Sequence, residues 1–385
     1  MKHNLVYGSK KRFLAFILEC FGFFVLKPLV FLAGRKSTKE FNILLIEPFQ
    51  MGDVVALSVL LGPLRKKFPT AKIYILGKKG PVQIAKFLSE VEGVLHASFP
   101  WSVKNGETGS WLTWFSEMWA LQKYGFTIGI DVRGDVRSHL SLLLAGCTQI
   151  ISYKQYIYSD IFNHGLICDV EVKEGNYQHI FERHRFLLKG LGIPEKDLFP
   201  IQFPLFRYGE IQPDKKETPS PILLHIGASW EFKMWPFAHW AGIIRQLSSH
   251  YSIPILIVAG PGEEHLVEGI RKLLKPQEMP EVCFPNLEEL IRLLQNCRLI
   301  IGCDSGPMCI ANCLDIPRIA LFGPGLPEVW KPYTKTSYFL QAIEGYDCYP
   351  CILKVCVRPE SSCISQVKIL DVFTTAKTIL DGVPA

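Results

Sequence analysis

The sequence predicts an α/β protein made of two doubly wound lobes. From residue 41 onward, short apolar runs alternate with longer amphipathic stretches, a pattern typical of βαβ units that form a parallel sheet. The alternation is interrupted over residues 204–221, where prolines flank a Lys/Glu-rich middle, and it then restarts. The chain has 385 residues, enough for two or three domains of about 150 residues each.

The first lobe begins with a strand over residues 43–46, whose short apolar run Ile-Leu-Leu-Ile indicates burial. A helix over 54–67 follows and ends before Pro69, which cannot continue it. The remaining elements predicted in this lobe are strands over 73–76 and 126–131 and helices over 81–89 and 136–145.

The second lobe repeats the alternation. Pro236 and Pro307 each stand in the first turn of a predicted helix, where the missing N–H costs nothing. The predicted strands are 222–226, 253–259, 299–302 and 319–322, and the predicted helices are 236–249, 263–274, 287–296, 307–314 and 366–381. Two lobes of this kind place a ligand cleft between them, at the carboxyl ends of the strands.

The elements predict five segments along the chain. They are a basic and apolar membrane-associating segment (1–40), a first lobe (41–205), a linker (206–221), a second lobe (222–340), and a Cys-rich segment with a terminal helix (341–385).

The positive charge is concentrated at the N-terminus. Residues 1–40 hold eight Lys or Arg and two Glu, so this segment carries the whole formal charge of +6. The remaining chain is neutral, which argues against a general nucleic-acid binder.

Residues 13–33 form an apolar run in which 17 of 21 residues are apolar. The length suits a membrane span, but Glu19 and Lys27 lie inside it and Pro28 interrupts it. Three interpretations stay open: an interfacial anchor with cationic flanks, a true span, and a helix packed on the protein's own core.

Four of the 12 cysteines cluster near the C-terminus as Cys348-x2-Cys351-x4-Cys356-x6-Cys363. The spacing is not that of a standard zinc site. A structural metal, two disulfides and free thiols in a folded lobe all remain open. The other cysteines lie mostly in apolar runs, as reduced core thiols do.

In each lobe, one motif follows the first strand. Gly52 and Asp53 stand where a helix begins, so Asp53 is either a helix cap or a general base at the mouth of the cleft. In the second lobe, Ser229 and Lys233 follow a strand in a small-residue loop. They could bind a diphosphate through a hydroxyl and a cation, or Lys233 is an ordinary solvated lysine.

Two further motifs follow later strands of the second lobe. Glu263 comes after the turn Gly260-Pro261-Gly262 and could accept two ribose hydroxyls, although acids also favour helix N-termini in general. Ser305 and Gly306 open a helix whose exposed N–H groups and dipole form an anion site.

Taken in chain order, these motifs resemble those of glycosyltransferase family 9, the lipopolysaccharide heptosyltransferase family. The resemblance covers about residues 41–373. The residues that carry it are Gly52-Asp53, His225-x-Gly227-Ala228-Ser229, Lys233-x-Trp235-Pro236, Gly260-Pro261-Gly262-Glu263, Asp304-Ser305-Gly306-Pro307-Met308, Leu321-Phe322-Gly323-Pro324, Cys348-Tyr349-Pro350-Cys351 and Cys356.

The resemblance implies a GT-B fold, with the acceptor on the first Rossmann-like lobe and a nucleotide sugar on the second. It implies an inverting glycosyltransferase that needs no metal for catalysis. Such an enzyme would move a sugar, by family precedent a heptose, from ADP-heptose or another nucleotide-diphosphate sugar to a lipopolysaccharide core or another lipid-linked glycan. It would work at the cytoplasmic face of the bacterial inner membrane, held there peripherally or monotopically by residues 1–40.

The resemblance also implies roles for single residues. Asp53 would be the general base, Lys233 and Ser229 would contact the donor diphosphate, and Glu263, or Glu264 beside it, would hold the ribose. The other residues expected at the donor are Gly52, Asp304, Ser305, Gly306, Pro307 and Met308. An anionic acceptor could bind at Asp131, Arg133 and Arg137, unless these three form only a salt network at a strand end.

One position departs from the family pattern, since Cys309 stands where many members have His. The alternative function is therefore a non-catalytic protein of the same fold that binds a nucleotide sugar or glycan. A dinucleotide-dependent oxidoreductase ranks lower, because no G-x-G-x-x-G follows the first strand.

Overall fold

The structure of the protein is a computed structural model, which describes residues 17, 18, 20–32, 40–102, 109–153, 170–172, 179–203, 220–349, 351 and 355–382. The chain divides into two compact units, Met1–Arg207 and Tyr208–Ala385. Most of the predicted linker, Cys168 and seven of the eight basic residues of the first 40 lie outside the described residues.

The N-terminal helical segment packs on the first unit by one of its faces. A π-helical turn, Gly22–Leu26, continues into α1 (Lys27–Leu32). Leu26 and Val30 are buried, and Leu26 joins the hydrophobic core of the unit. One face of the segment thus corresponds to the interpretation of a helix packed on the protein's own core.

Other positions of the same segment carry exposed apolar side chains. This exposed apolar face consists of Phe21, Phe24, Val25 and Leu29, with Phe24 68% exposed. Among the described residues, none of the helices combines the length and the apolar character that crossing a membrane requires.

The first unit is built on a six-stranded parallel sheet. Its strands are β1 (Asn42–Glu47), β2 (Lys72–Gly77), β3 (Gly93–His96), β4 (Phe126–Asp131), β5 (Gln149–Tyr153) and β6 (Val170–Val172). They lie in the order β3-β2-β1-β4-β5-β6. Every residue of the central strand β1 is buried, as expected inside a parallel sheet.

The helices of the first unit begin earlier or divide more often than the sequence predicts. They are α2 (Met51–Ala56), α3 (Ser58–Lys67), α4 (Trp111–Ala120), α5 (Val136–Leu144), α6 (Ile180–Leu187) and α7 (Glu195–Leu198), with 3₁₀ turns at Pro81–Phe87, Leu121–Tyr124 and Leu188–Leu191. The single helix predicted over 54–67 is two helices, α2 and α3. Because α2 begins at Met51, Asp53 lies in its first turn.

The second unit has the same architecture. Its strands are β7 (Ile222–His225), β8 (Ile255–Val258), β9 (Glu281–Cys283), β10 (Leu299–Cys303), β11 (Arg318–Phe322) and β12 (Ser337–Gln341). They are parallel and lie in the order β12-β11-β10-β7-β8-β9. The carboxyl ends of β7, β8 and β10 therefore meet at one edge, where the predicted donor motifs follow.

Helices and short turns complete the second unit. The helices are α8 (Phe237–His250), α9 (Glu264–Arg271), α10 (Leu287–Gln295), α11 (Gly306–Cys313), α12 (Pro327–Trp330) and α13 (Ile369–Leu380), and the 3₁₀ turns are Glu231–Lys233, Pro276–Glu278, Pro359–Ser361 and Cys363–Gln366. A single hydrophobic core joins α8, α9 and α13 to the sheet, with Trp235 and Trp240 fully buried in it.

The differences between prediction and structure concern mainly the outer strands. The sequence predicts the central strands β1, β2, β4, β7, β8, β10 and β11, but it does not predict β3, β5, β6, β9 or β12. The outer strand β3 has no fully buried residue, and β9 exposes Glu281, so neither forms the continuous apolar run that marks a buried strand. The helix predicted over 81–89 is a 3₁₀ segment.

Candidate functional site

One candidate site lies in the first unit, at the carboxyl end of β1. Asp53 stands in the first turn of α2, and its Oδ2 accepts a hydrogen bond from the backbone N–H of Gln50 at 3.1 Å. Asp53 is thus a helix-capping residue, one of the two interpretations of this position. Its second oxygen, Oδ1, takes no part in that hydrogen bond and is available to another partner.

That partner is Arg133, which follows β4. Its Nη1 lies 3.3 Å from Asp53 Oδ1 and 3.5 Å from Oε2 of Glu47, the last residue of β1. The guanidinium also lies over the ring of Phe49, 4.1 Å from its centroid. We call Glu47, Asp53 and Arg133 the Arg133 cluster. It joins the ends of two neighbouring strands through one shared cation.

Glu47 is the residue of this cluster that the sequence motifs do not include. Its side chain is 1% exposed, and its Oε1 accepts the backbone N–H of Phe49 at 3.1 Å. Burial raises the pKa of Glu47 to about 8, against the opposing effect of Arg133 and with the help of the negative charge of Asp53. The signal that could have revealed it is an acid directly after the apolar run 43–46.

Asp131, at the end of β4, holds the loop that carries Arg133. It is fully buried, and its carboxylate accepts the backbone N–H groups of Arg133 and Asp135, both at 3.0 Å. Ser152 Oγ donates to it at 2.8 Å, and His139 Nε2 lies at the same distance. The carboxylate of Asp131 is thus engaged by groups of the protein itself. Asp131 therefore positions Arg133 and does not face a ligand.

Arg137 belongs to a neighbouring pair on α5. Its guanidinium makes two contacts with the carboxylate of Asp135, the residue that caps the same helix. The guanidinium also lies 5.3 Å from the ring centroid of Trp101. The predicted acceptor residues therefore differ in exposure. Arg133 and Arg137 keep about a third of their side chains exposed, whereas Asp131 is fully buried.

Another candidate site lies in the second unit, at the carboxyl ends of β7 and β8. Glu263 Oε2 accepts the backbone N–H of Gly260 at 2.6 Å. A Cβ at Gly227 would meet Glu263 Oε1 at 2.3 Å, so only glycine leaves room for this carboxylate. Glu264 is exposed in the first turn of α9. The structure thus brings Glu263, and not Glu264, to the strand ends.

His225 lies beneath Glu263 at the end of β7. Its Nδ1 is 3.2 Å from the carbonyl oxygen of Val258, and its side chain is almost completely buried. Burial lowers the pKa of His225, although the nearby carboxylate of Glu263 works against that shift. We expect His225 to be neutral at physiological pH and to support the Glu263 loop.

Lys233 and Asp304 form an ion pair at the other side of the strand ends. The distance from Lys233 Nζ to Asp304 Oδ2 is 2.6 Å, and both side chains are partly exposed. A Cβ at Gly325 would meet the same Oδ2 at 2.9 Å, so this glycine leaves the space that Asp304 occupies. Asp304 thus holds the ammonium group of Lys233 in place. An incoming anion would compete with Asp304 for this cation.

Ser305 stands directly after Asp304 and is the N-cap of α11. Its hydroxyl oxygen is buried and has no hydrogen-bond partner among the described residues. A buried hydroxyl without a partner is costly, which indicates a place for a polar ligand. Helix α11 is eight residues long, and Gly306 and Pro307 form its first turn, so its N-terminus adds a favourable dipole.

The other residues predicted for the donor differ in burial. Met308 is 5% exposed, and its sulfur packs under Gly302, where a Cβ would meet it at 2.8 Å. Ser229 is exposed in the loop after β7, and Gly52 lies in the first turn of α2 in the first unit. Cys309, at the position of the family's His, is partly buried in α11.

The four clustered cysteines surround one small cavity, together with Phe232 and Pro324. All four are free thiols. Burial raises the pKa of the Cys363 thiol to about 11, and the neighbouring thiols add to that shift. Within the described part of the chain no group of three His, Cys, Asp or Glu is arranged to hold a metal, so the structural-metal alternative finds no support.

Comparison with known proteins agrees with the motifs. A family model described as glycosyltransferase family 9 (heptosyltransferase) matches residues 114–361, more than half of the chain. The solved structure of E. coli ADP-heptose LPS heptosyltransferase II matches with a TM-score of 0.69 at 20% identity and covers 90% of this chain and 100% of that one. That likeness confirms the predicted fold class, a two-lobed α/β fold of the GT-B type.

Two curated relatives show how the sequence similarity is distributed. The lipooligosaccharide heptosyltransferase 2 of Haemophilus influenzae is 32% identical over 118 residues, which are 29% of this chain and 34% of that protein. The lipopolysaccharide heptosyltransferase 1 of Pseudomonas aeruginosa is 21% identical over 330 residues, which are 82% of this chain and 87% of that protein. The more similar match therefore spans only about a third of its relative's length.

Proposed function

The chain belongs to glycosyltransferase family 9, a family of sugar-transferring enzymes, and from that premise we propose that it moves a heptose from ADP-heptose to a lipopolysaccharide core or another lipid-linked glycan. The observation that carries the proposal is a set of groups suited to binding phosphate at the start of α11. There a lysine ion pair and a buried hydroxyl without a partner among the described residues stand at the N-terminus of a helix.

The donor would bind along the strand ends of the second unit. Its diphosphate would displace Asp304 from Lys233 and accept hydrogen bonds from Ser305 and from the first N–H groups of α11. The ribose hydroxyls would donate to Glu263, whose carboxylate the loop glycines hold at that edge. Lys233 and the helix N-terminus would then stabilise the negative charge that develops on the leaving ADP.

The acceptor would meet the Arg133 cluster of the first unit. Asp53 Oδ1 would take the proton from the acceptor hydroxyl while its Oδ2 keeps the hydrogen bond from Gln50. The freed oxygen would attack the anomeric carbon from the face opposite the leaving ADP, which inverts the configuration. In this proposal Lys233 and α11 supply the positive charge that transfer requires, and no metal takes part.

Arg133 and Arg137 fit an acceptor that carries negative charge. Both guanidinium groups are partly exposed, and both lie beside aromatic rings that limit their movement. Phosphate or carboxylate groups on a glycan are the ligands that such forks bind. Asp131 and Asp135 would serve the acceptor site by holding these two arginines in place.

The same first unit would meet a membrane surface through its N-terminal helical segment. The exposed apolar face of that segment would enter the interface, and the basic residues of 1–40 would face anionic lipid headgroups at the cytoplasmic side. This arrangement brings the enzyme to a lipid-linked acceptor.

The membrane proposal is tested with vesicles. The double variant Phe24→Asp/Leu29→Asp should lose most of its binding to anionic vesicles, since each change places a charge in the interface. Leu370→Asp, which changes a comparably exposed apolar residue on α13, is the matched control and should bind normally. Equal binding of both variants would contradict the assignment of this face.

The proposed reaction is tested on the purified full chain with ADP, GDP, UDP, CDP and NAD. A true ligand at about 100 times its Kd adds about 2.7 kcal/mol of stability, so the melting temperature should rise by several degrees with ADP alone. ADP-heptose and a heptose-deficient lipid-linked acceptor should then give ADP and a heptosylated product by mass spectrometry. Binding of ADP without any transfer would favour the non-catalytic alternative, and no binding would contradict the donor site.

A further inference from the structure

We infer that Glu47 is a positioning residue for the base Asp53 and that it acts through Arg133, the cation that the two carboxyl groups share. The inference rests on the proposed function, because it concerns the group that takes the acceptor proton. None of the motifs that carry the family resemblance contains Glu47.

The geometry gives one nitrogen two acceptors. Arg133 Nη1 lies 3.3 Å from Asp53 Oδ1 and 3.5 Å from Glu47 Oε2, so it can favour either oxygen after a small movement. Phe49 limits that movement, because its ring lies against the guanidinium while its backbone N–H holds Glu47 Oε1. A planar guanidinium in such a frame can divide its hydrogen bonds between two carboxyl groups.

The charged surroundings make Glu47 the group whose state changes near neutral pH. Arg133, Asp53 and Asp131 are the ionisable groups that act on it, and the pKa of Glu47 lies at about 8 because the side chain is buried. His184, which senses the charge of Arg133, stays neutral, since burial lowers its pKa to about 3. Glu47 is therefore mostly protonated at neutral pH and ionises in weakly alkaline solution.

Ionisation of Glu47 changes the electrostatic surroundings of Asp53. While Glu47 is neutral, Asp53 is the charged carboxylate of the Arg133 cluster that contacts Nη1, and Asp131 and Asp135 also act on the guanidinium. When Glu47 releases its proton to solvent, it competes for Nη1, and Asp53 gives up part of its ion pair. A carboxylate that loses part of an ion pair accepts a proton more readily. Transfer should therefore become faster as Glu47 ionises.

The test compares kcat/KM of the wild type and Glu47→Gln as a function of pH, with a saturating concentration of ADP-heptose and a varied acceptor. Gln keeps the size of Glu and can accept from Phe49, but it cannot ionise. We expect the ratio of wild type to variant to rise on the order of threefold between about pH 7 and about pH 9, the size expected when a base acts by partial proton transfer. A ratio that does not change with pH would overturn the inference, since a merely structural role predicts that result.

Two further variants keep the test decisive. Arg133→Lys replaces the planar guanidinium with a single ammonium charge, which cannot divide its hydrogen bonds between the two carboxyl groups in the same way, so the increase in the kcat/KM ratio with pH should disappear in this background. Persistence of that increase would also overturn the inference. Glu117→Gln, which changes a carboxylate that accepts the N–H of Ser98, is the matched control and should give a constant ratio.

Asp53→Asn separates this inference from the proposed function. If Asp53→Asn is inactive and the ratio for Glu47→Gln stays flat, only the part assigned to Glu47 fails. If Asp53→Asn transfers heptose as well as the wild type, the assignment of the base itself fails, and the inference fails with it.

Discussion

The first unit and the second unit arrange six parallel strands in the same order, 3-2-1-4-5-6 when the strands of each unit are counted from its first. They differ in the residues that stand at the carboxyl edge of the sheet. In the first unit β1 and β4 end in the acids Glu47 and Asp131, and a loop arginine joins them. In the second unit glycines come after the strands and leave room for the side chains of Glu263 and Asp304.

This difference suits the two edges to the two kinds of chemistry that the proposed reaction requires. A buried acid beside a shared cation is suited to holding and moving a proton. Glycine turns with a lysine and a helix N-terminus are suited to diphosphate, because the backbone can approach the ligand closely. The comparison predicts that damage to the first edge impairs transfer while damage to the second impairs donor binding.

The largest effect should follow from Asp53→Asn in the first unit. Removing a general base costs about 10²–10⁴ in rate, so we expect kcat to fall by about 10³ while ADP still stabilises the protein as it does the wild type. Steady-state kinetics and thermal shift measure the two quantities. Loss of ADP binding in this variant would contradict the proposal that the first edge serves transfer and the second edge serves donor binding.

Lys233→Met in the second unit should affect both binding and rate. It removes the cation that pairs with Asp304, so the melting shift with ADP should disappear, and turnover should fall by about 10²–10³. The control is Lys272→Met, which changes an exposed lysine at the C-terminal end of helix α9 in the same unit and should behave as the wild type. A normal shift with ADP in Lys233→Met would refute the diphosphate site.

Gly227→Ala tests the second edge without changing a charge. The new methyl group would lie 2.3 Å from Glu263 Oε1, so Glu263 must move away from the ribose position. We expect KM for the donor to rise by about tenfold with a smaller change in kcat, because a contact worth about 1.4 kcal/mol is lost. Gly62→Ala on α3, where a Cβ meets nothing within 4 Å, is the control and should leave KM unchanged.

The last effect is on stability, not on transfer, and concerns Glu47. Its pKa is about 8 in the folded protein and near 4.5 in the unfolded chain, so the folded state binds more protons between these values. The free energy of unfolding should therefore fall as pH rises through this window. In Glu47→Gln that fall should be absent, and the variant should gain on the order of 3 kcal/mol over the wild type from about pH 5 to about pH 8.

Melting curves at several pH values measure this gain. A constant difference in melting temperature between Glu47→Gln and the wild type would show that the pKa of Glu47 is not raised by folding, so that its carboxyl group is already ionised over this range. That result would also remove the physical basis for its action on Asp53.

Much of the fold was predictable from the sequence because its signals are local. The central strands are continuous apolar runs, and proline marks the beginnings of helices such as α11, so each is recognisable within a few residues. The outer strands β3 and β9 were missed, since a strand with exposed positions depends on its neighbours for recognition. The start of α2 was missed because Gln50 is not a typical cap.

The sequence by itself determined the family, the two-lobed fold and the positions of the glycine turns, because these depend on residue type and short spacing. Only the tertiary structure decided which side chains meet. Arg133 reaches Glu47 across 86 positions and Asp53 across 80, and Lys233 reaches Asp304 across 71. The raised pKa of Glu47 likewise exists only because folding removes its carboxyl group from water, and no local pattern carries that information.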